Sequence, residues 1–305
     1  LAHAFASTIV NAPVEAVWSL VRDFAALPAW VPGLRSCVME GGGPGDQVGA
    51  IRALTLGDGT LVREKLLTLD DSRYLFRYDF QTPAFPVRNY EATFEAIPVT
   101  SGERCFARWW ADFDEAPEDA GVYERIVSHD VFGHGLASLA RLADGRAAPA
   151  GARRWQGFRP AKVFCSSVIN APLDRVWAMA RDFAGMGAWH EDVRDMHMRG
   201  GAPADQVGAV RDFSMNGGHL LERLTYLSDT DHAFRYTIDE SPMPWLDYHA
   251  GARFYPVSAT DTTFAVWTAD WVAAPNDDVT LIPNIHANVF QKAFDTLDRI
   301  LATQP

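Results

Sequence analysis

Proton transfer near neutral pH is the first chemistry the sequence offers, because nine histidines are present and six of them, His190, His197, His219, His232, His249 and His286, fall in the C-terminal half. Histidine exchanges a proton close to pH 7, so one that faces a cavity is the natural general acid or base. His286 is followed by Val289, Phe290, Ala293, Phe294 and Leu297 at helical spacings, which predicts that it lies on the apolar face of a helix. His190 follows Trp189 and precedes Glu191 and Asp192, in a segment read as the rim of a cavity. His249 shares parity with Arg253 and is read as outward, and His219 sits in a glycine-rich turn and is read as solvated. In the N-terminal half, His134 could face inward at the far end of a helix.

A second set of polar side chains lies on apolar strand faces. Arg52 shares parity with Val48, Ala50, Leu54 and Leu56, and Arg211 with Val207, Ala209, Phe213 and Met215. Glu64 shares parity with Val62 and Leu66, Glu222 with Leu220 and Leu224, Tyr78 with Phe76 and Phe80, and Tyr236 with Phe234 and Ile238. An unpaired charge on such a face costs several kcal/mol, so the expectation is a cross-strand Arg–Glu pair with a tyrosine hydroxyl nearby. That arrangement serves either as a structural buried pair or as an anchor for a ligand carboxylate, phenolate or enolate.

The elements that must position these groups occur twice. Val10-Asn11-Ala12-Pro13 recurs as Ile169-Asn170-Ala171-Pro172, Trp18 as Trp177, Asp23-Phe24 as Asp182-Phe183, Trp30 as Trp189 and Arg52 as Arg211. After one deletion in a turn, Glu64 pairs with Glu222, Phe76-Arg77-Tyr78 with Phe234-Arg235-Tyr236, Tyr90 with Tyr248, Trp109 with Trp267 and Phe132 with Phe290. Ser128 then stands where the second copy has His286. The stretch 143–160, rich in Ala, Gly, Pro and Arg without a regular period over most of its length, reads as a linker between a first domain, 1–142, and a second, 161–305.

Within each copy the order is a strand (Ala4 to Val10; Val163 to Ile169), a helix entered through Asn-Ala-Pro, a glycine-rich turn, and alternating strands running to Phe113 and Trp271. A long amphipathic helix closes each copy, about Glu118 to Leu142 and Leu281 to Leu301. This is an α+β class, with a curved antiparallel sheet around a long C-terminal helix.

Asn-Ala-Pro-x-x-x-Val-Trp, Asp-Phe-x-x-x-x-x-Trp, Gly-x-x-Arg, the following Glu strand, Phe-Arg-Tyr and a strand Trp before the last helix resemble the START-like, Bet v 1-like superfamily. Within it, they resemble the polyketide cyclase/dehydrase and lipid-transport branch, here as a tandem duplication. The resemblance implies two helix-grip domains with internal cavities, and a function among cyclases, dehydratases, lyases, hydrolases and non-catalytic carriers. The fold alone does not choose among these.

Composition narrows the partners. The net charge of −12 opposes a nucleic-acid phosphate backbone, and no apolar run is long enough to span a bilayer. Leu1 to Val10 lacks a basic region followed by a long apolar core, and Cys37, Cys105 and Cys165 are odd in number and widely spaced, so a reduced, cytoplasmic setting is expected. No metal motif, P-loop or nucleophile elbow appears, and no cofactor is expected. Ten Trp, eighteen Phe and eight Tyr favour a small aromatic or apolar ligand.

The expectation is therefore a cofactor-independent enzyme using general acid/base chemistry on a small aromatic or polyketide-like substrate, by cyclisation with dehydration or by decarboxylase/lyase chemistry. Its catalytic candidates are His286, His190 and Tyr236. Its ligand-binding candidates are Arg211, Glu222, Phe213, Tyr248 and Trp267, with Arg52, Glu64 and Tyr78 in the first copy. The alternative is a carrier or sensor that only holds an apolar molecule. The two domains pair within one chain; the oligomeric state is left open.

Overall fold

The computed structural model describes residues 1–150 and 161–303, so most of the expected linker, from 151 to 160, lies outside the described residues. The chain divides into two compact units. In the first, β1 (Ala2–Val10) leads into α1 (Val14–Val21) and the short α2 (Leu27–Trp30). The strands β2 (Leu34–Met39), β3 (Ile51–Leu56), β4 (Leu61–Asp70), β5 (Leu75–Thr82), β6 (Arg88–Val99) and β7 (Arg104–Asp114) follow. The closing helix is α3 (Val122–Arg125), a π-helical segment (Ile126–Gly133) and α4 (His134–Ala143).

The second unit repeats this order. It runs through β8 (Val163–Ile169), α5 (Leu173–Ala180), β9 (Val193–Met198), β10 (Val210–Met215), β11 (Gly218–Ser228), β12 (Ala233–Glu240), β13 (Leu246–Val257) and β14 (Thr262–Val272). It closes with α6 (Pro275–Asn284), a π-helical segment (Ile285–Gln291) and α7 (Lys292–Ala302). Each unit is a seven-stranded antiparallel sheet, ordered β1-β7-β6-β5-β4-β3-β2 and β8-β14-β13-β12-β11-β10-β9, with a long C-terminal helix: the helix-grip fold.

The repeated motifs turn out to be joints of this fold. Pro13 and Pro172 precede the first helices with φ near −56°, and their carbonyls accept the first helical N–H groups. Trp18 donates its indole N–H to Asp71 at 2.8 Å, and Arg22 grips the same carboxylate, which ties α1 to the β4–β5 turn. Trp177, Arg181 and Asp229 repeat the clasp.

The strand Trp stacks on the long helix in both units, Trp109 on Phe132 and Trp267 on Phe290, each with ring centroids 4.5 Å apart. Such a pair adds about 0.5–1.5 kcal/mol beyond area burial. Register shifts in the β4–β5 and β11–β12 pairings mark bulges beside Glu64 and Glu222, and bulges bend a strand and re-aim its side chains.

Boundaries differ from the periodicity at both closing helices and at two strand starts: the first closing helix begins at Val122, after a separate 3-10 turn at Pro117–Asp119. The second closing helix begins at Pro275, six residues before Leu281, because Pro at the first helical position and Asp277 and Asp278 in the first turn suit a helix start. Val48 and Val207, read as inward, are more than half exposed. Their parity was projected through glycine turns, but the strands begin only at Ile51 and Val210.

Candidate functional site

The predicted charge pairs form on directly opposed residues: Arg52 faces Glu64 across β3–β4, and Arg211 faces Glu222 across β10–β11. In the second unit Arg211 is 1% exposed and Glu222 5%, and the Arg211 Nε donates to Glu222 Oε2 at 2.7 Å. Its Nη1 donates to the Phe183 carbonyl at 3.0 Å, and the guanidinium carbon lies 3.9 Å from the Phe183 ring centroid. Arg52 has the same set: Glu64 at 2.6 Å, the Phe24 carbonyl at 2.7 Å and the Phe24 ring at 3.5 Å. The Asp-Phe motif thus supplies the carbonyl and ring that seat the arginine.

Burial pushes the carboxyls of Glu64 and Glu222 above the usual carboxylate range, against the pull of their arginines. Burial likewise raises the hydroxyl pKa values of Tyr236 and Tyr248, which keeps both as neutral hydrogen-bond donors.

Next to this pair the second unit opens a cleft with about 630 Å³ of empty space, its mouth included. Glu222, Tyr236, Tyr248 and Trp267 lie on its wall, with Met186, Leu220, Ile238, Ile285 and Val289 supplying apolar surface. Asn216, Ser241, Met243, Trp245 and Asn284 also line it. Of the expected ligand-binding residues, Glu222, Tyr248 and Trp267 are therefore brought together with the catalytic candidate Tyr236. Arg211 and Phe213 are buried but are not among the lining residues, and Arg211 acts on the cleft through Glu222.

The first unit holds Tyr78 and Trp109 in the same relation, with the Trp109 indole N–H donating to the Tyr78 hydroxyl at 3.1 Å. There Phe80 stacks on Tyr90 with centroids 3.9 Å apart, where the second unit has Ile238 beside Tyr248. A smaller side chain at that position leaves room that Phe80 takes up in the first copy.

The histidines depart from the spacing argument. His286 is half-buried and is not among the lining residues, which include its neighbour Ile285 and Val289. The reason is the π-helical segment from Ile285 to Gln291, whose wider turn breaks the 3.6-residue period used to place it. The equivalent Ser128 accepts the Phe5 N–H of β1 at 3.1 Å, so this position in the first unit looks toward the first strand. Burial holds the His286 pKa below its ordinary value.

His190, expected at a rim, is 1% exposed. Its Nδ1 accepts the Asp192 N–H at 3.4 Å, its ring also bonds the backbone of Val289, and burial lowers its pKa. It packs behind the wall, its backbone N–H bonded to the carbonyl of the cleft residue Met186. His249 and His219 are exposed as expected; His219 bonds Asp212 at 2.9 Å. His134 is exposed, its Nδ1 at the Asp130 carbonyl, which corrects the inward reading: the adjacent Gly135 and Leu136 face the core instead.

Trp245, Met243 and Asn284 were not found from sequence. Each differs from its first-copy counterpart, Val87, Phe85 and Ile126, so a search for repeated residues passes over them. The signal was available in Trp245 itself, an aromatic closing a Pro-rich hairpin, Ser241-Pro242-Met243-Pro244-Trp245. Among the described residues no group of three or more His, Cys, Asp or Glu side chains is arranged to hold a metal ion, and no helix is long and apolar enough to cross a membrane.

Comparison with known proteins gives one family and a set of solved relatives. The family model for polyketide cyclase/dehydrase and lipid transport matches residues 2–144 and again 160–302. A solution structure from Thermobifida fusca is 33% identical, covering 47% of this chain and 93% of its own, with a TM-score of 0.43. The di-domain ARO/CYC BexL is 14% identical over 100% of both chains, TM-score 0.40. Norcoclaurine synthase from Thalictrum flavum, in complex with dopamine and hydroxybenzaldehyde, is 18% identical over 46% of this chain and 84% of its own, TM-score 0.40.

Proposed function

The chain belongs to the polyketide cyclase/dehydrase and lipid-transport family as a tandem pair, and from that premise we propose that its second domain binds a small aromatic or polyketide-like molecule and promotes its cyclisation with loss of water. The observation that carries this reading is the placement of Glu222 and Tyr236, both buried, on the wall of an otherwise largely apolar cleft. A site meant only to exclude water has no need of a carboxyl and a phenol there.

In the proposed reaction a substrate carbonyl oxygen accepts the Tyr236 hydroxyl proton's hydrogen bond while the Glu222 carboxylate takes a proton from the carbon next to a carbonyl. The resulting enolate carbon attacks a second carbonyl, the new C–C bond forms, and the alkoxide takes the proton back from the Glu222 carboxyl, which is a carboxylate again. Water then leaves: one proton is lost from carbon to Glu222 and one is returned to the departing hydroxyl, so no oxidant, reductant or cofactor enters. Tyr248 supports Tyr236, since the two hydroxyls interact. In this proposal the direct proton transfer expected of His286 passes to Glu222 and Tyr236, and His190 positions the wall through Met186.

A second reading is favoured by one specific fact. The first unit keeps the same pair, Arg52–Glu64, beside Tyr78, as a structural element would be kept, and this supports a carrier that holds its ligand unchanged. Screening the intact chain against aromatic diketones and polyketide-like ketones with a mass-spectrometric readout separates the two. Products lighter by one water, with turnover lowered about 10²–10⁴-fold in Tyr236→Phe, are expected; retention of every compound at unchanged mass would overturn the enzyme reading in favour of the carrier.

A further inference from the structure

The seam between the closing helix and the loop before the second strand of the sheet is built differently in the two units. The backbone turn is shared: His190 donates its N–H to the Met186 carbonyl at 2.8 Å, as Val31 does to Leu27. The side chains on that turn are not. His190, Glu191 and Asp192 stand where the first unit has Val31, Pro32 and Gly33, and Lys292 stands where it has His134.

In the second unit these side chains cross the seam. The His190 ring, 1% exposed, accepts the Asp192 N–H on Nδ1 at 3.4 Å and donates to the Val289 carbonyl. The same carbonyl accepts the Lys292 N–H at the end of the π-helical segment. The Lys292 Nζ donates to both carboxylate oxygens of Asp192 at 2.8 Å, and a Glu191 oxygen lies at 3.4 Å. A neutral bond and a charged one thus tie the loop to a single turn of the helix. In the first unit Val31 has no polar side-chain atom and Gly33 has no side chain, while His134 turns to the Asp130 carbonyl of its own helix at 3.1 Å.

Both ends of the tie are attached to the cleft. Met186 and Val289 line it, and so does Ile285 at the start of the same π-helical segment. A helix face that borders empty space lacks the contacts that fix a core helix, and segments with few such contacts open most readily. The unit with the cleft is the one in which the opposite side of that segment is tied down.

We propose that His190, Asp192 and Lys292 form a latch that holds the π-helical wall of the cleft in its ligand-binding position, which makes them positioning residues that do not touch the ligand. The inference rests on the cleft being a ligand site, and not on the reaction assigned to it. A wall fixed in advance need not be ordered when the ligand enters, so the ligand binds more tightly by that avoided cost.

The test uses the full chain, with 2-acetylnaphthalene and the aromatic diketones of the screen above as probes. Affinities are read by calorimetry, and hydrogen exchange of the amides of 285–291 by NMR. His190→Val installs the side chain that the first unit carries on the same turn, so this variant is expected to fold. It should bind the probe about 5-fold more weakly, the change that one net hydrogen bond allows, and should exchange 285–291 faster by a similar factor. Lys292→Met should do the same, whereas Lys292→Arg, which keeps the charge opposite Asp192, should retain parental affinity and exchange. A role in stability alone would lower the melting temperature and leave affinity well below it unchanged. The Lys292 side chain is 34% exposed, so its variants carry the test if His190→Val does not fold. Parental affinity in His190→Val or in Lys292→Met overturns the latch and leaves the ligand site standing, as does weaker binding with unchanged exchange. Failure of the parent to bind any of the probes overturns the ligand site and the latch with it.

Discussion

Truncating Glu222 to alanine isolates the energetic weight of the buried pair. In the parent, Arg211 has a carboxylate at 2.7 Å, a backbone carbonyl at 3.0 Å and the Phe183 ring at 3.9 Å. The last two persist in the variant, so they do not offset the loss; what changes is that a 1%-exposed guanidinium loses its counter-ion. Removing one partner of a buried pair costs about 3–5 kcal/mol. Glu222 borders the cleft, so water can reach the space it vacates, and the lower end, about 3 kcal/mol, is expected. For a domain of this size that lowers the melting temperature by about 10 °C. Scanning calorimetry at pH 7, with the second-domain transition assigned from the shift itself, provides the measurement. The double variant Arg211→Met/Glu222→Leu removes both charges and should return to within about 1 kcal/mol of the parent. A single variant within about 1 kcal/mol of the parent, or a double variant no better than the sum of the singles, would refute the account of a desolvated and mutually dependent pair.

Three further outcomes are expected. Ile238→Phe copies Phe80 of the first unit into the cleft and should weaken 2-acetylnaphthalene binding at least about 10-fold at little cost in stability, since a contact worth one methylene or more is replaced by a clash; calorimetric titration checks it. His190 is held neutral by burial, so its folded pKa lies below the unfolded value of about 6.5. The unfolded chain then binds the extra proton, and the stability His190 contributes above that pH is lost as pH falls through it. The decline in melting temperature from pH 7.5 to 5.5 should accordingly be shallower in His190→Asn than in the parent, and an identical slope would count against a buried neutral ring. Finally, the Ala-, Gly-, Pro- and Arg-rich stretch 143–160 is proposed as the connector between domains; limited proteolysis should cut there first, and earlier cleavage inside Val48 to Phe113 would reject it.

What was legible in the sequence followed from regular periods. The two-residue repeat of a strand put Arg52, Glu64, Arg211 and Glu222 on apolar faces, and the pairs form as directly opposed residues. Of the readings that slipped, those of His286, His190 and the pair Val48 and Val207 have local causes. His286 sits where the helix adopts π-helical turns, which no apolar spacing in the sequence announces. His190 follows a short 3-10 turn, Gly185–Ala188, too brief to carry a period, and its burial depends on tertiary packing behind Met186. Val48 and Val207 precede glycines with φ above +90° at Gly49 and Gly208, where the chain turns and strand parity ceases to apply.

The duplication itself argues for where function lies. The residues common to both units are joints: Trp18 and Trp177 on their aspartates, the Arg–Glu pairs on Phe24 and Phe183, and Trp109 and Trp267 stacked on the closing helix. The cleft combines shared residues, Glu222 and Tyr236, with some of those that differ: Ile238 for Phe80, Met243 for Phe85, Trp245 for Val87 and Asn284 for Ile126. A fold held by the first set tolerates change in the second, because those side chains border empty space rather than packed core. Trp267 belongs to the first set: its ring face packs on Phe290 as Trp109 packs on Phe132, and its indole meets the Tyr236 hydroxyl as that of Trp109 meets Tyr78.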